Sequence, residues 1–162
     1  MTEEDWEEYN YNGPVKEFHH PDPGKLINEY LKRDAAGDFM RSNPWYVTAK
    51  LHPMQLGWDQ STLISGYEID TLLIDSTQAV YDVTYHVIAR RRQNIHGPYL
   101  IFGPCEKVTR FKLEKTSWGW RIAKPNQHQH ILPNVIMDRL PDEDQEKLKA
   151  YLKQQNLMYL LD

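Results

Sequence analysis

The sequence predicts an α+β fold in which one helix precedes a run of antiparallel strands and a second helical region closes the chain. Three observations carry this. Leu26, Ile27, Tyr30, Leu31 and Ala35 recur at helical spacing over residues 25–36. The stretch VYDVTYHVIARRR, residues 80–92, alternates apolar and polar side chains with the period of a strand. Strand-like segments joined by short turns fill most of residues 63–124, and helical patterning returns after Pro141.

Each element has a local cause. Asp22 can cap the first helix, Pro23 is tolerated in its first turn, and Gly37 sits where a left-handed residue would end it. Residues 38–62 contain two prolines and no sustained period; a short helix near 38–43 and a strand near 45–51 are expected. SGYEIDTLLID (65–75) reads as a strand, Asp75–Ser76–Thr77 as a turn, and TQAVYDVTYHVIARRR (77–92) as the returning strand. Gly97–Pro98 and Gly103–Pro104 mark residues 93–104 as a loop. EKVTRFKLEK (106–115), TSWG and WRIAKP (120–125) then form a hairpin. Pro141–Asp142 with Gln145 resembles a capping box, and Leu148, Tyr151, Leu152 and Gln155 mark the helix behind it.

The polarity of the long strand follows from charge. Its odd positions are Ala79, Tyr81, Val83, Tyr85, Val87 and Ala89; its even positions are Val80, Asp82, Thr84, His86 and Ile88, with Arg90 following. Burying unpaired Asp82 and Arg90 costs several kcal/mol each, more than Val80 and Ile88 return, so the odd face goes to the core. Asp82 and His86 then lie about 13 Å apart on the outer face, too far for a base and its orienting carboxylate. An exposed histidine on a solvated or dimer-forming face is the ordinary reading of His86.

A chain of 162 residues suits one domain, with residues 1–22 as an acidic arm, residues 23–162 as the domain and a helical extension at about 133–161. The arm holds seven acids against Lys16, for a net charge of −6, whereas residues 90–124 carry +7. Opposite charges of that size raise the expectation that part of the arm docks on the basic sheet, with residues 1–8 disordered. No apolar run is long enough to cross a bilayer, and the opening MTEEDWEEYN is no signal sequence. A cytoplasmic protein is expected, or an exported one whose signal has been removed. Cys105 is the only cysteine, which excludes an internal disulfide; it is expected to be a small semi-buried side chain.

Glycine-rich nucleotide loops and the hydrolase and metalloprotease signatures are missing from the sequence, so no cofactor or metal is expected. His128–Gln129–His130 and His19–His20 are candidate ligand pairs, but neither brings a third ligand at metal spacing. Arg90–Arg91–Arg92 with Lys107, Arg110 and Lys112 would make a phosphate-binding patch if they shared a face. Consecutive arginines on a strand splay to opposite faces and the whole chain is acidic, so a nucleic-acid partner is not expected.

The order of elements, from the helix ending in AAGDF to the closing EKVTRFKLEKTSWGWRI, resembles the nuclear transport factor 2-like superfamily over roughly residues 24–125. That cystatin-like α+β cone implies a curved, mixed or antiparallel sheet wrapped around helix 25–36, with a conical pocket at its open end. Carried onto this chain, the odd face of 79–89 lines the cone with Thr109, Phe111, Leu113, Trp120 and Ile122, while Val108, Arg110 and Lys112 face out. The candidate pocket residues are Tyr30, Tyr81, Tyr85, Phe111 and Trp120. The outer face becomes the expected homodimer interface.

Catalytic relatives place an aspartate, or a His–Asp pair, inside the cone with tyrosine helpers. Here the assigned inward positions supply Tyr81 and Tyr85 but no acid; Asp34, Asp38, Asp59 and Asp70 remain open. The expectation is therefore a non-catalytic domain binding a small apolar or aromatic ligand or a protein partner, with no membrane attachment. The alternative is an isomerase, dehydratase or cyclase working by proton transfer in the cone. An acid or histidine beside Tyr81 or Tyr85 separates the two.

Overall fold

The computed structural model describes residues 19–40, 44–53, 60–95 and 97–162. The acidic segment 1–18, and with it the expected docking of the arm, lies outside the described residues, as does Asp59. Two N-terminal helices, α1 (Pro23–Ala35) and α2 (Pro44–Ala49), precede strands β1 (Thr62–Ile74), β2 (Gln78–Asn94), β3 (Gly97–Thr116), β4 (Gly119–Lys124) and β5 (His130–Ile131). Two further helices follow, α3 (Pro133–Ile136) and α4 (Asp142–Gln154). The sheet order is β4-β3-β2-β1-β5, antiparallel except for the β1–β5 pair, and the sheet curls around α1 as an α+β cone.

α1 begins as its sequence dictates. The Asp22 carboxylate accepts from the Gly24 and Lys25 amides at 2.8 and 3.2 Å, and Gly37 takes φ +78° just past the helix end. Where a strand near 45–51 was expected, residues 44–49 are helical instead. Pro44 sits in the first helical position and β-branched Thr48 satisfies its hydroxyl by donating to the Trp45 carbonyl at 2.7 Å. Trp45 stacks on Phe39 and Tyr46 packs against the same ring, so tertiary burial overrides local strand propensity.

The β1–β2 turn closes on Asp75, whose Oδ1 accepts from the Thr77 and Gln78 amides, both at 2.8 Å. All six odd positions from Ala79 to Ala89 are buried, and Val108, Arg110 and Lys112 are exposed. On the outer face Arg110 grips Asp82 with both guanidinium arms, at 2.9 and 3.2 Å.

The expected loop 93–104 is a second correction. β3 starts at Gly97 and runs twenty residues, leaving only a tight connection around Ile95. Val87 pairs with Cys105 and Ala89 with Phe102, so Gly103 and Pro104 together oppose Ile88 in a β-bulge. Pro104, which has no amide to donate, is absorbed there without breaking the strand. Cys105, next to the bulge, is exposed rather than semi-buried.

Two cores result. The first, between α1, α2 and the sheet, includes Leu26, Ile27, Tyr30, Phe39, Tyr85, Phe111 and Ile122. The second gathers Leu63, Ile88, Leu100, Ile131, Leu148 and Leu152 under the C-terminal helices, which explains why even-numbered Ile88 is buried after all. The expected capping box at α4 does not form: Asp142 is already helical and Gln145 donates instead to the Leu140 carbonyl at 2.8 Å.

The free edge of β4 is covered by the chain leading into α1. The Trp120 amide donates to the His20 carbonyl at 2.7 Å, beside Gly119 at φ +94°. A Cβ on Gly119 would meet the His20 oxygen at 2.5 Å. Gly119→Ala is therefore expected to cost about 2 kcal/mol or more in chemical denaturation, from the left-handed backbone and the lost edge contact together. An unchanged midpoint would show that this edge contact is dispensable.

Candidate functional site

Asp34 is the acid that the helical stripe delivers to the interior. It sits four residues after Tyr30 and three after Leu31, on the buried face of α1, with 2% of its surface exposed. Its Oδ2 accepts from the His130 amide at 3.2 Å. Burial pushes its carboxyl up to about 7, against the pull of that amide and of the Lys50 cation. Lys50, equally buried, donates to the Pro125 carbonyl at 2.6 Å and lies 5.4 Å from the Tyr30 ring centroid. Burial draws its ammonium down to about 8, with Asp34 opposing. The Tyr30 and Tyr85 hydroxyls are both held well above the ordinary range, first by burial and then by Asp34.

His130 links this interior to the surface. Its ring stacks on Tyr85 at 3.9 Å between centroids, and the Lys107 ammonium lies 3.1 Å from its Nε2. Burial, then Lys107, draws the imidazole down to about 3, so it is neutral at physiological pH. A neutral ring that accepts at Nε2 from an ammonium carries its proton on Nδ1, on the side of the His128 backbone, which opposes the downward shift. The Tyr85 hydroxyl in turn accepts from Gln127 at 3.3 Å.

In front of His130 opens a cavity of about 390 Å³, lined among others by Arg90, Arg91, Arg92, Lys107, His128 and His130. It lies where β1, β2 and β5 meet, since Thr62 pairs with both Arg90 and His130. The sequence patch is thereby split. The three arginines and Lys107 surround the cavity, whereas Arg110 is tied to Asp82 on the outer face and Lys112 is exposed there. Arg90 and Arg92, two apart on β2, are exposed, whereas Arg91 between them is buried and bonded to the Arg139 carbonyl. A second cavity, of about 560 Å³, runs along α1 between His20, Asp22, Lys25, Glu29, Lys32 and Trp45 and mixes both signs of charge.

The five candidate pocket residues have a different place. Tyr30, Tyr81, Tyr85, Phe111 and Trp120 are all 4% exposed or less and interlock in the first core; none of them lines either cavity. Tyr85 comes nearest, through its stack on His130. The Tyr81 hydroxyl is buried with no partner among the described residues. Of the open acids, Asp38 is 3.7 Å from Arg33 at the helix end and Asp70 is exposed opposite Asp82. His130 was read only as half of a candidate ligand pair, because a two-residue strand gives no periodic signal of its burial; Asp34 had one, since it continues the spacing of Ile27, Tyr30 and Leu31. Among the described residues no three His, Cys, Asp or Glu side chains gather as a metal site, and no helix is long and apolar enough to cross a membrane.

No protein-family model, curated protein or solved structure matches this chain.

Proposed function

We propose that this chain is a nuclear transport factor 2-like cone whose role is to bind a small molecule without transforming it. The observation that carries this is the cavity where β1, β2 and β5 meet, whose wall includes His130 and thus touches the aromatic interior through the His130–Tyr85 stack. Its volume of about 390 Å³ suits a compact ligand with an aromatic or apolar body. Such a ligand should raise the melting temperature through linkage, and a panel of small aromatic compounds tests this. A panel that leaves the melting temperature unmoved would count against the reading.

A second reading is favoured by one specific observation. Asp34 is a buried carboxyl held near 7 between Tyr30 and Tyr85, the acid that proton-transfer chemistry in a cone requires. Deuterium exchange from solvent into the α-carbon of a bound ketone, measured for the parent chain and Asp34→Asn, tests it. Exchange that is absent, or equal in both, rules it out.

The outer sheet face supports a homodimer. Val108 is 62% exposed there beside the Asp82–Arg110 pair, and His86 sits between Glu68 and Glu106 at 3.9 and 3.7 Å. Sedimentation of the parent chain and of Val108→Glu decides: a dimer that the glutamate dissociates supports the interface, and a monomeric parent removes it.

A further inference from the structure

The cavity in front of His130 has a charge that an apolar ligand does not explain. Arg90, Arg91, Arg92 and Lys107 bring four cations to one cavity, and no aspartate or glutamate among the described residues lines it. Arg91 is anchored, 4% exposed, with its Nη2 donating to the Arg139 carbonyl at 3.2 Å. The Arg90 and Arg92 side chains are exposed and make no hydrogen bond or ion pair with any described residue. Among the described residues Lys107 reaches the neutral ring of His130, an acceptor without charge, and its ammonium is drawn down first by burial and then by Arg90. The Asp34 carboxyl, behind the wall, meets the backbone of His130 and is not among the residues lining the cavity. Among the described residues no carboxylate faces Arg90, Arg92 and Lys107; like charges gathered around a concavity repel one another, and an anion entering it relieves that repulsion.

We propose that this cavity holds a small organic anion, gripped at a phosphate or carboxylate group by Arg90, Arg92 and Lys107, with the uncharged part of the molecule against His130. Planar guanidinium forks match either oxyanion with paired hydrogen bonds, and Lys107 adds a point charge on the His130 side. The proposal rests on the small-molecule-binding reading above and narrows it to a ligand class. The size of the cavity favours a single small anion over a polymer: about 390 Å³ encloses one ring and its acidic group, not a strand of nucleic acid.

Calorimetry of the full chain with phenyl phosphate, benzoate, phenol and benzamide tests this, with a single-stranded oligonucleotide as a fifth probe. Phenyl phosphate or benzoate should bind at least about tenfold more tightly than its neutral counterpart, and more weakly as salt rises. A preference between the two anions identifies the acidic group. Arg90→Gln and Arg92→Gln, both at exposed positions, should each weaken anion binding about tenfold without lowering the melting temperature, and Lys107→Met should do so too. Binding of phenol and benzamide as tight as that of the anions would overturn the ligand class while leaving a small-molecule site in place. No binding by any of the four compounds would overturn both. Anion binding unaffected by the three substitutions would place the site elsewhere, and an oligonucleotide that outcompetes phenyl phosphate would replace the small anion with nucleic acid.

Discussion

An Asp34→Asn variant is expected to gain stability over the parent chain as pH rises from about 4 to about 7, by up to about 4 kcal/mol. The sign follows from which state holds the proton. In the unfolded chain the Asp34 carboxyl ionises near 3.8, whereas burial in the fold holds it to about 7. Between those values the folded state keeps a proton that the unfolded state has released, so each pH unit upward favours unfolding by about 1.4 kcal/mol from this group alone. Asparagine keeps the shape and an oxygen for the His130 amide, and has no such slope. Urea denaturation of both proteins at pH 4.5 and pH 8 measures the difference directly. A gap independent of pH would mean that the carboxyl titrates like an exposed one. Buried His20 and His130, drawn down to about 4 and about 3, contribute a slope of the opposite sign below about 6.5, but it is common to both proteins and cancels.

Two adjacent residues on β2 should behave as opposites. Tyr85→Ala is expected to cost at least about 3 kcal/mol, the toll of emptying a fully buried aromatic site. Its ring is 1% exposed, stacks on His130, meets Tyr67 edge-on at 6.4 Å and holds Gln127 through its hydroxyl. His86→Ala is expected to change stability by about 0.5 kcal/mol or less, because its side chain is 37% exposed and its two glutamate neighbours are themselves solvated. Denaturation midpoints of the two variants settle the polarity of the strand, and the reverse order would turn the sheet inside out.

What could be read in advance followed the strength of the local signal. β2 was legible because a buried charge is so costly that Asp82 and Arg90 send the odd positions between them to the core; only Ile88, buried in the second core, departs from the pattern. The Asp22 cap and the Asp75 turn were legible because side-chain-to-amide bonds act within three residues. α2 was not, since Val47 and Thr48 favour a strand locally and only the Phe39 and Trp45 stack makes a helix preferable. The cavity was illegible for a topological reason: β5 is two residues long, and nothing near His130 announces that it pairs with Thr62, sixty-eight positions earlier. The cations were visible as a cluster, but their sorting between two faces of the sheet depends on register, which composition does not encode.

The bulge at Gly103–Pro104 acts on β3 as a change of phase. Downstream of it the core residues are odd-numbered, Thr109 being half-buried and Phe111 and Leu113 fully so; upstream they are even-numbered, Leu100 and Phe102. One strand therefore reads in two frames, and the extra residue is the frameshift that lets it serve both cores. A chain one residue shorter between Phe102 and Cys105 would turn Tyr99 and Ile101 toward the C-terminal helices and send Leu100 and Phe102 to solvent. The punctuation that looks like a loop in the sequence is thus the point at which insertion or deletion is least tolerable, and the proline that seems to interrupt the strand keeps its two halves in step.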